Sequence, residues 1–348
     1  MAYRRINEFN EIIMNILFTC AGRRNYLINY FKEALKGNGK IIAADMQSNA
    51  PAMIDADISR IVPGIYSENY ISEIKKIVIG NQVNLLISLN DLELPILSEH
   101  KEEFKELGVQ VVVPEKSVID IAFDKQKTAE FLSAIGLNTP NTYTNLDDAL
   151  KAIMDEKLRY PLVVKPRWGS ASIGIEFPKN EEELRLVFKL AHIRLKETIL
   201  AKASSEDLDN AILIQEKIEG PEYGMDVLSD FEGEYMGTFV RRKLAMRAGE
   251  TDKAISVLDS RFEIIGETIA SNLKHIGNLD CDVLEKDGKL YVLELNARFG
   301  GGYPFSHEAG MNTAAAYISW MNGEKGIDKF NKYEDNLAFS KYDRLMKI

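Results

Sequence analysis

Cysteine is scarce in this sequence. Cys20 and Cys281 are the only two, without C-x-x-C spacing, so neither a disulfide framework nor a zinc site is indicated. Histidine is nearly as rare, and His100, His192, His275 and His307 show no ligand spacing such as H-E-x-x-H. No apolar run reaches the length of a membrane span, and the N-terminus lacks the apolar core and cleavage site of a signal peptide. Positive charge is in deficit, with 43 Lys and Arg against 53 Asp and Glu and a net charge of -10. That disfavours a general nucleic-acid or anionic-membrane surface and leaves only a local basic cleft. Internal repeats and low-complexity tracts are missing, and no full G-x-G-x-x-G occurs, so dinucleotide binding has little support. The expectation is a cytoplasmic protein acting on small molecules, with no nucleic acid and no membrane as partner.

At 348 residues, 45% of them hydrophobic and 28% charged, the chain is an ordinary globular protein long enough for two or three domains. Residues 1–13 read as a polar extension, with the folded part starting near Met14. An apolar strand over 15–19 runs into Cys20-Ala21-Gly22-Arg23-Arg24, and 25–35 carries apolar residues at helical spacing. Strands over 40–44, 84–89 and 110–113 alternate with helices over 69–79 and 99–107, which predicts a parallel, helix-covered sheet. Ligands of such sheets bind at the carboxyl ends of the strands, where Gly22, Arg23, Asp45 and the turn Asn90 to Glu93 lie.

The texture changes near Ser117. A helix opens at Asp124-Lys125 and ends at Gly136; a strand over 162–165 ends at Lys165, before a Gly/Ser turn from Gly169 through Ser170 to Gly174. Two lysines brought together over such a turn suit nucleotide phosphates, and its backbone amides can cover the terminal phosphate. A strand over 175–177, a helix over 181–195 and a strand over 212–215 follow. Gln215-Glu216-Lys217-Ile218 then places backbone groups where an adenine edge could bond, with Glu222 set to accept from ribose hydroxyls. Strands over 225–229 and 235–241 and a helix over 260–274 precede the most informative stretch.

That stretch is 290–303, L-Y-V-L-E-L-N-A-R-F-G-G-G-Y. Its period-2 alternation predicts a strand with Glu294 and Asn296 on one side, Arg298 beyond them and three glycines ending it. Asp287-Gly288 predicts a hairpin that carries Asp280 and Asp282 alongside. Converging carboxylates repel unless a cation joins them, and Mg2+ accepts one or two carboxylates together with phosphate oxygens. Tyr303 and His307 follow in a segment expected to line the pocket floor. A helix over 314–322 precedes a polar tail from Gly323.

D-K-x-x-T, V-V-K-P with its Gly/Ser turn, I-Q-E-K-I-E-G-P-E-Y and L-E-L-N-A-R, in that order, resemble the ATP-grasp superfamily. The likeness is to the branch of the carbamoyl-phosphate synthase large subunit and the pyrrolysine-pathway ligase, and T-C-A-G-R-R is similar to that branch's N-terminal domain. The resemblance implies an α/β protein, an ATP-grasp fold preceded by a Rossmann-like parallel-sheet domain. The units would be 1–116, a small or lid subdomain over 117–214, and a metal-bearing subdomain over 215–348. Lys125, Lys165 and Ser170 would bind ATP phosphates, Gln215, Glu216, Lys217 and Ile218 the adenine, and Glu222 the ribose. Asp282, with Asp280 as its competitor, would join Glu294 and Asn296 in holding Mg2+, or Mn2+ in its place. Arg298, with Lys165, would serve phosphoryl transfer. Arg241, Arg242, Lys243 and Arg247 match a loop near the phosphates. The implied chemistry is carboxylate activation through an acyl phosphate followed by attack of an amine. The substrates are a small-molecule carboxylate and an amine, held near Gly22, Arg23, Glu93, Tyr303 and His307, and a homodimer is the candidate assembly. A nucleotide-binding sensor without turnover is the competing reading.

Overall fold

The computed structural model describes residues 13–169, 174–205 and 207–347. Ser170 and its neighbours 171–173, and the extension up to residue 12, lie outside them.

The first layer runs β1 (Asn15–Thr19), α1 (Asn25–Leu35), β2 (Ile41–Asp45), α2 (Pro51–Asp55), β3 (Ile58–Ile61), α3 (Tyr70–Gly80), β4 (Val83–Ser88), α4 (Leu94–Glu99), α5 (Lys101–Glu106) and β5 (Gln110–Val111). Its sheet has the order β3-β2-β1-β4-β5, and every pairing is parallel. Ile16, Leu17 and Phe18 of β1 and all of β2 are buried, as strands covered on both faces must be. The helix expected over 99–107 is α5, and a further helix, α4, precedes it up to Glu99, started by Pro95 in its first turn.

Next come α6 (Lys116–Phe123), α7 (Lys125–Ala134), β6 (Thr142–Tyr143), α8 (Leu146–Met154), β7 (Leu162–Pro166), α9 (Glu181–Leu195) and β8 (Ile212–Glu216). The three strands form a small antiparallel sheet, β6-β8-β7. It has its own core of Leu162, Val164, Ile212 and Ile214 against Ala149, Ala152, Leu184 and Leu195. The strand expected over 175–177 is reduced to one bridge, Val164 to Glu176, and the expected boundary at 214/215 falls within β8.

The last layer is β9 (Glu222–Ser229), β10 (Tyr235–Arg247), β11 (Glu250–Val257), α10 (Ser260–Leu273), β12 (Gly277–Lys286), β13 (Lys289–Asn296), α11 (Tyr303–Glu308), α12 (Thr313–Met321) and β14 (Ala338–Ser340). Its antiparallel order is β13-β12-β9-β10-β11-β14. Asp287 and Gly288 both have positive φ, 52° and 73°, as the tight β12–β13 hairpin requires. The tail beyond Gly323 is not merely a polar trailer. Its β14 pairs with β11, covering a sheet edge that would otherwise be unpaired, and Tyr333 donates to the Val240 carbonyl of β10 at 2.5 Å.

One face of this sheet, through Met225, Val227, Val240, Cys281, Val283 and Leu295, joins Phe262 and Ile269 of α10 in a core that continues to Leu17, Ile42 and Leu86 of the first sheet. A second cluster ties Phe18 and Phe31 to Phe299, Tyr303 and Tyr317. Each such side chain contributes about 1.5–3 kcal/mol by burial. Strand alternation sends the polar residues of β9, β10, β12 and β13 to the opposite face, and that face is the site.

Candidate active site

The hairpin register sets Asp282 opposite Glu294 and Asp280 opposite Asn296, while β9 adds Asp226 beside Asp280. β10 answers this acidic face with two cations. Arg241 bonds Asp226 at 2.5 Å and Asp280 at 2.8 Å, and Lys243 bonds Asp282 at 2.6 Å and Glu222 at 2.7 Å. The guanidinium of Arg241 lies where β-carbons at Gly224 or Gly302 would stand, 2.8 and 2.2 Å from its Nε, and a β-carbon at Gly300 would meet the Asp280 carboxylate at 2.1 Å. The glycine run thus makes room for charged side chains beneath it.

Asp124 brings the two predicted lysines together. Its carboxylate caps α7 through the amides of Gln126 and Lys127 and is gripped on both oxygens by Arg167, each at 2.7 Å. Arg167 follows β7, so the start of α7 is fastened to the strand bearing Lys165. Lys125 donates to the Gly169 carbonyl and pairs with Glu294 at 3.5 Å. Burial, with Lys125 alongside, pushes the Lys165 ammonium down to about 8. Burial acts to raise the Glu294 carboxyl, but Lys125, Lys165 and the Asn296 amide outweigh it and hold Glu294 below the usual range. Asp282 moves the other way: burial, with Glu294 and Asp280 nearby, raises it against the pull of Lys243.

Arg298 lies beyond the end of β13, only 8% exposed. Asp91, from the turn after β4, accepts from its Nε and Nη2, and Asp280 accepts from its Nη1 at 3.2 Å. Alternating charges therefore run Asp226, Arg241, Asp280, Arg298, Asp91 from the large sheet to the first one.

At the predicted adenine segment, Gln215 is buried with its Nε2 on Thr142 at 2.8 Å, and Glu216 accepts from the Asn141 side chain at 3.0 Å. Lys217 pairs with Glu219, and Ile218 is buried as the chain leaves β8. Glu222 is already engaged by Lys243.

The expected substrate contacts need correction. Glu93 is fully buried inside the rim of the first sheet, accepting from Thr19 at 2.8 Å, Tyr70 at 2.5 Å and Ser88 at 2.6 Å, and burial raises its pKa. Asp91, two residues earlier, is the carboxylate that reaches across. Tyr303 has no exposed surface; its hydroxyl meets His307 Nδ1 at 3.0 Å and accepts from the Thr313 amide. His307 stacks on Tyr30 with ring centroids 3.5 Å apart, and burial pushes it down to about 4. These two residues fasten α11 to α1 instead of lining a pocket floor. Gly22 has φ 51° and donates its amide to Asp45 at 2.8 Å, while Arg23 is exposed. Arg24 is the arginine that turns inward, pairing with Glu250 at 3.3 Å.

Sequence reasoning also missed Asp124, whose signal was its N-cap position before Lys125. Among the described residues no three His, Cys, Asp or Glu side chains stand gathered for a metal ion, since the carboxylates lean on lysines and arginines. The donor chemistry of Asp282, Glu294 and Asn296, hard oxygens on facing strands, still suits Mg2+.

Comparison with known proteins matches two segments of the chain: a PylC-like N-terminal domain over residues 16–112 and an ATP-grasp domain over residues 122–302. The carbamoyl phosphate synthase large chain of Campylobacter jejuni subsp. jejuni is 27% identical over 237 residues, 64% of this chain and 20% of the relative. The D-alanine–D-alanine ligase of a Marinomonas species is 34% identical over 110 residues, 32% of this chain and 30% of the relative. The chain thus spans about a fifth of the length of that synthase chain and under a third of that ligase. The L-amino acid ligase of Bacillus licheniformis superposes with a TM-score of 0.67 at 21% identity, covering 94% of this chain and 81% of that one. Campylobacter jejuni biotin carboxylase, in its β,γ-ATP complex, gives 0.70 at 18% identity, covering 90% and 72%. At such identities these two likenesses speak to the fold alone.

Proposed function

The chain belongs to the ATP-grasp family, and from that premise we propose that it is an ATP-dependent ligase joining a small-molecule carboxylate to an amine. The observation that carries this reading is the convergence of Lys125 and Lys165 on Glu294, with Asp282 facing Glu294 across the hairpin and Arg298 beyond the strand end. The likeness to a named ligase, 34% identical over 110 residues, supports it.

In this mechanism a substrate carboxylate oxygen attacks the γ-phosphorus of ATP, the bond to the β-phosphate oxygen breaks, and ADP leaves. The amine then attacks the acyl carbon, phosphate departs, and the nitrogen gives up a proton to solvent. Lys125 and Lys165 hold the phosphates, and the segment Gln215 to Ile218 takes the base. Glu222 takes the ribose after exchanging its bond to Lys243. Mg2+, bound by Asp282, Glu294 and Asn296, would neutralise charge on the phosphate oxygens. Two guanidiniums, of Arg241 and Arg298, hold Asp280, whereas Asp282 is held by the Lys243 ammonium alone, which favours Asp282 as the ligand once Lys243 turns to the phosphates. Arg298, aimed by Asp91 and Asp280, faces the incoming carboxylate and the transferred phosphoryl group. No covalent enzyme intermediate is required; position and charge do the work. The sequence-defined units 1–116, 117–214 and 215–348 take the parts of acceptor-side domain, lid and metal-bearing domain.

The test is incubation with ATP, Mg2+ and pooled small carboxylates and amines, following ADP, phosphate and the amide product. ADP and phosphate released together with an amide support the ligase. Nucleotide binding without release above background would leave a sensor in its place.

A further inference from the structure

A second group of charges lies beside Arg298 and takes no part in the mechanism above. Arg24, at the start of α1, has its guanidinium set by the Tyr26 hydroxyl at 2.8 Å, and that hydroxyl in turn donates to the Gly300 carbonyl at 3.3 Å. Lys341, just past β14, donates to the Gly301 carbonyl at 2.8 Å. Between these two cations sits the carboxylate of Glu250, one oxygen 3.3 Å from Arg24 and the other 3.4 Å from Lys341. A β-carbon on Gly301 would stand 2.9 Å from that carboxylate and 3.0 Å from the guanidinium, so the backbone there leaves space for one carboxyl group.

Two features mark Glu250 as a loose occupant. Both contacts are longer than the roughly 2.7–2.9 Å of a direct charge-assisted bond. Its side chain is also 48% exposed, against 19% for Arg24 and 23% for Lys341. Glu250 is carried by the β10–β11 hairpin, directly after Ala248 and Gly249 with φ of 50° and 78° at the tip. The cations, by contrast, are fixed from three separate parts of the chain.

We propose that Arg24 and Lys341, over the Gly301 backbone, form the seat for a non-reacting carboxylate of a small substrate, and that Glu250 is its internal stand-in. The placement rests on the ligase reading, with Arg298 serving the reacting carboxylate and this seat a second one. The ligand chemistry is a free carboxylate from one of two sources: the far end of a dicarboxylic acid that is being activated, or the α-carboxylate of an amino acid serving as the amine. An incoming carboxylate displaces Glu250, and the hairpin tip swings out with it. An internal competitor lowers apparent affinity by the fraction of time it holds the seat, so removing it tightens binding.

Isothermal titration of the whole chain with glutarate and with L-alanine, in Mg2+ and a nonhydrolysable ATP analogue, tests this without turnover. At least one probe is expected to bind, about fivefold more tightly to Glu250→Gln and about tenfold more weakly to Arg24→Gln and Lys341→Met. Binding of glutarate alone assigns the seat to the activated acid, and binding of L-alanine alone assigns it to the amine partner. Weaker binding in Glu250→Gln would make Glu250 a reader of the ammonium group and overturn the proposal, as would affinity indifferent to Arg24 or the failure of both probes to bind Glu250→Gln. Retained probe binding here, with no ADP released from ATP itself in the turnover assay above, would count against the ligase reading and leave the seat standing.

Discussion

Asp91 Oδ2 accepts from both Nε and Nη2 of Arg298, at 3.2 and 2.9 Å, across 207 residues of sequence. A turn of the first sheet therefore aims the guanidinium that lies just past the end of β13. Asp91→Asn keeps the shape and loses the charge. Turnover is expected to fall about tenfold or more while nucleotide affinity changes less than about twofold. Stability should drop by about 1–3 kcal/mol, read by urea denaturation. Equal losses of turnover and nucleotide affinity would show that Asp91 does not act through Arg298.

Lys165 gives a pH signature. Its folded value of about 8 lies below the ordinary 10.5, so between those values the unfolded chain holds more protons and stability rises with pH. The cost of burying the charged ammonium is thus present below about pH 8 and relieved toward about 10.5. Phosphate binding favours the charged form, so nucleotide bound near pH 8.5 should draw in a proton, seen by calorimetry in two buffers of different ionisation enthalpy. Lys165→Met is expected to lose this uptake and about tenfold in affinity. Unchanged uptake in the variant assigns the proton elsewhere.

Glu294→Gln removes one proposed ligand charge while preserving shape. Turnover should fall about 100-fold or more. Nucleotide binding measured without Mg2+ should hold or improve, because Lys125 and Lys165 lose their competing carboxylate. Mg2+ titration of nucleotide affinity is the check, and a wild-type Mg2+ dependence would refute the metal assignment.

His275 predicts an acid-sensitive fold away from the site. It is fully buried, Nε2 bonded to the Val227 carbonyl at 3.1 Å, with no partner for Nδ1 among the described residues. Burial holds its pKa down at about 4 against the usual 6.5. This depressed group contributes stability that is complete above about pH 6.5 and lost as pH falls toward 4, at most about 3 kcal/mol. The melting temperature of His275→Gln should fall less steeply across that window than that of the parent. Parallel slopes would move the acid sensitivity to other groups.

Local order decided what could be read in advance. β1, α1 and α9 begin and end where apolar periodicity and turn residues placed them. The shared side of Glu294 and Asn296 follows from strand geometry, and their pairing with Asp280 and Asp282 follows from the Asp287-Gly288 turn. These depend on residues within one hairpin. Tertiary packing decided the rest. Asp91 and Glu93 share one turn with no local rule to separate them; Thr19, Tyr70 and Ser88 enclose Glu93, and only Asp91 is left to meet Arg298. Arg23 and Arg24 differ the same way, through the Gly300 carbonyl and Glu250 brought in from far along the chain. The tail became a strand because β11 offered an open edge. Periodicity is a property of the local backbone, whereas the partner of a buried charge is set by which distant segments exclude water around it.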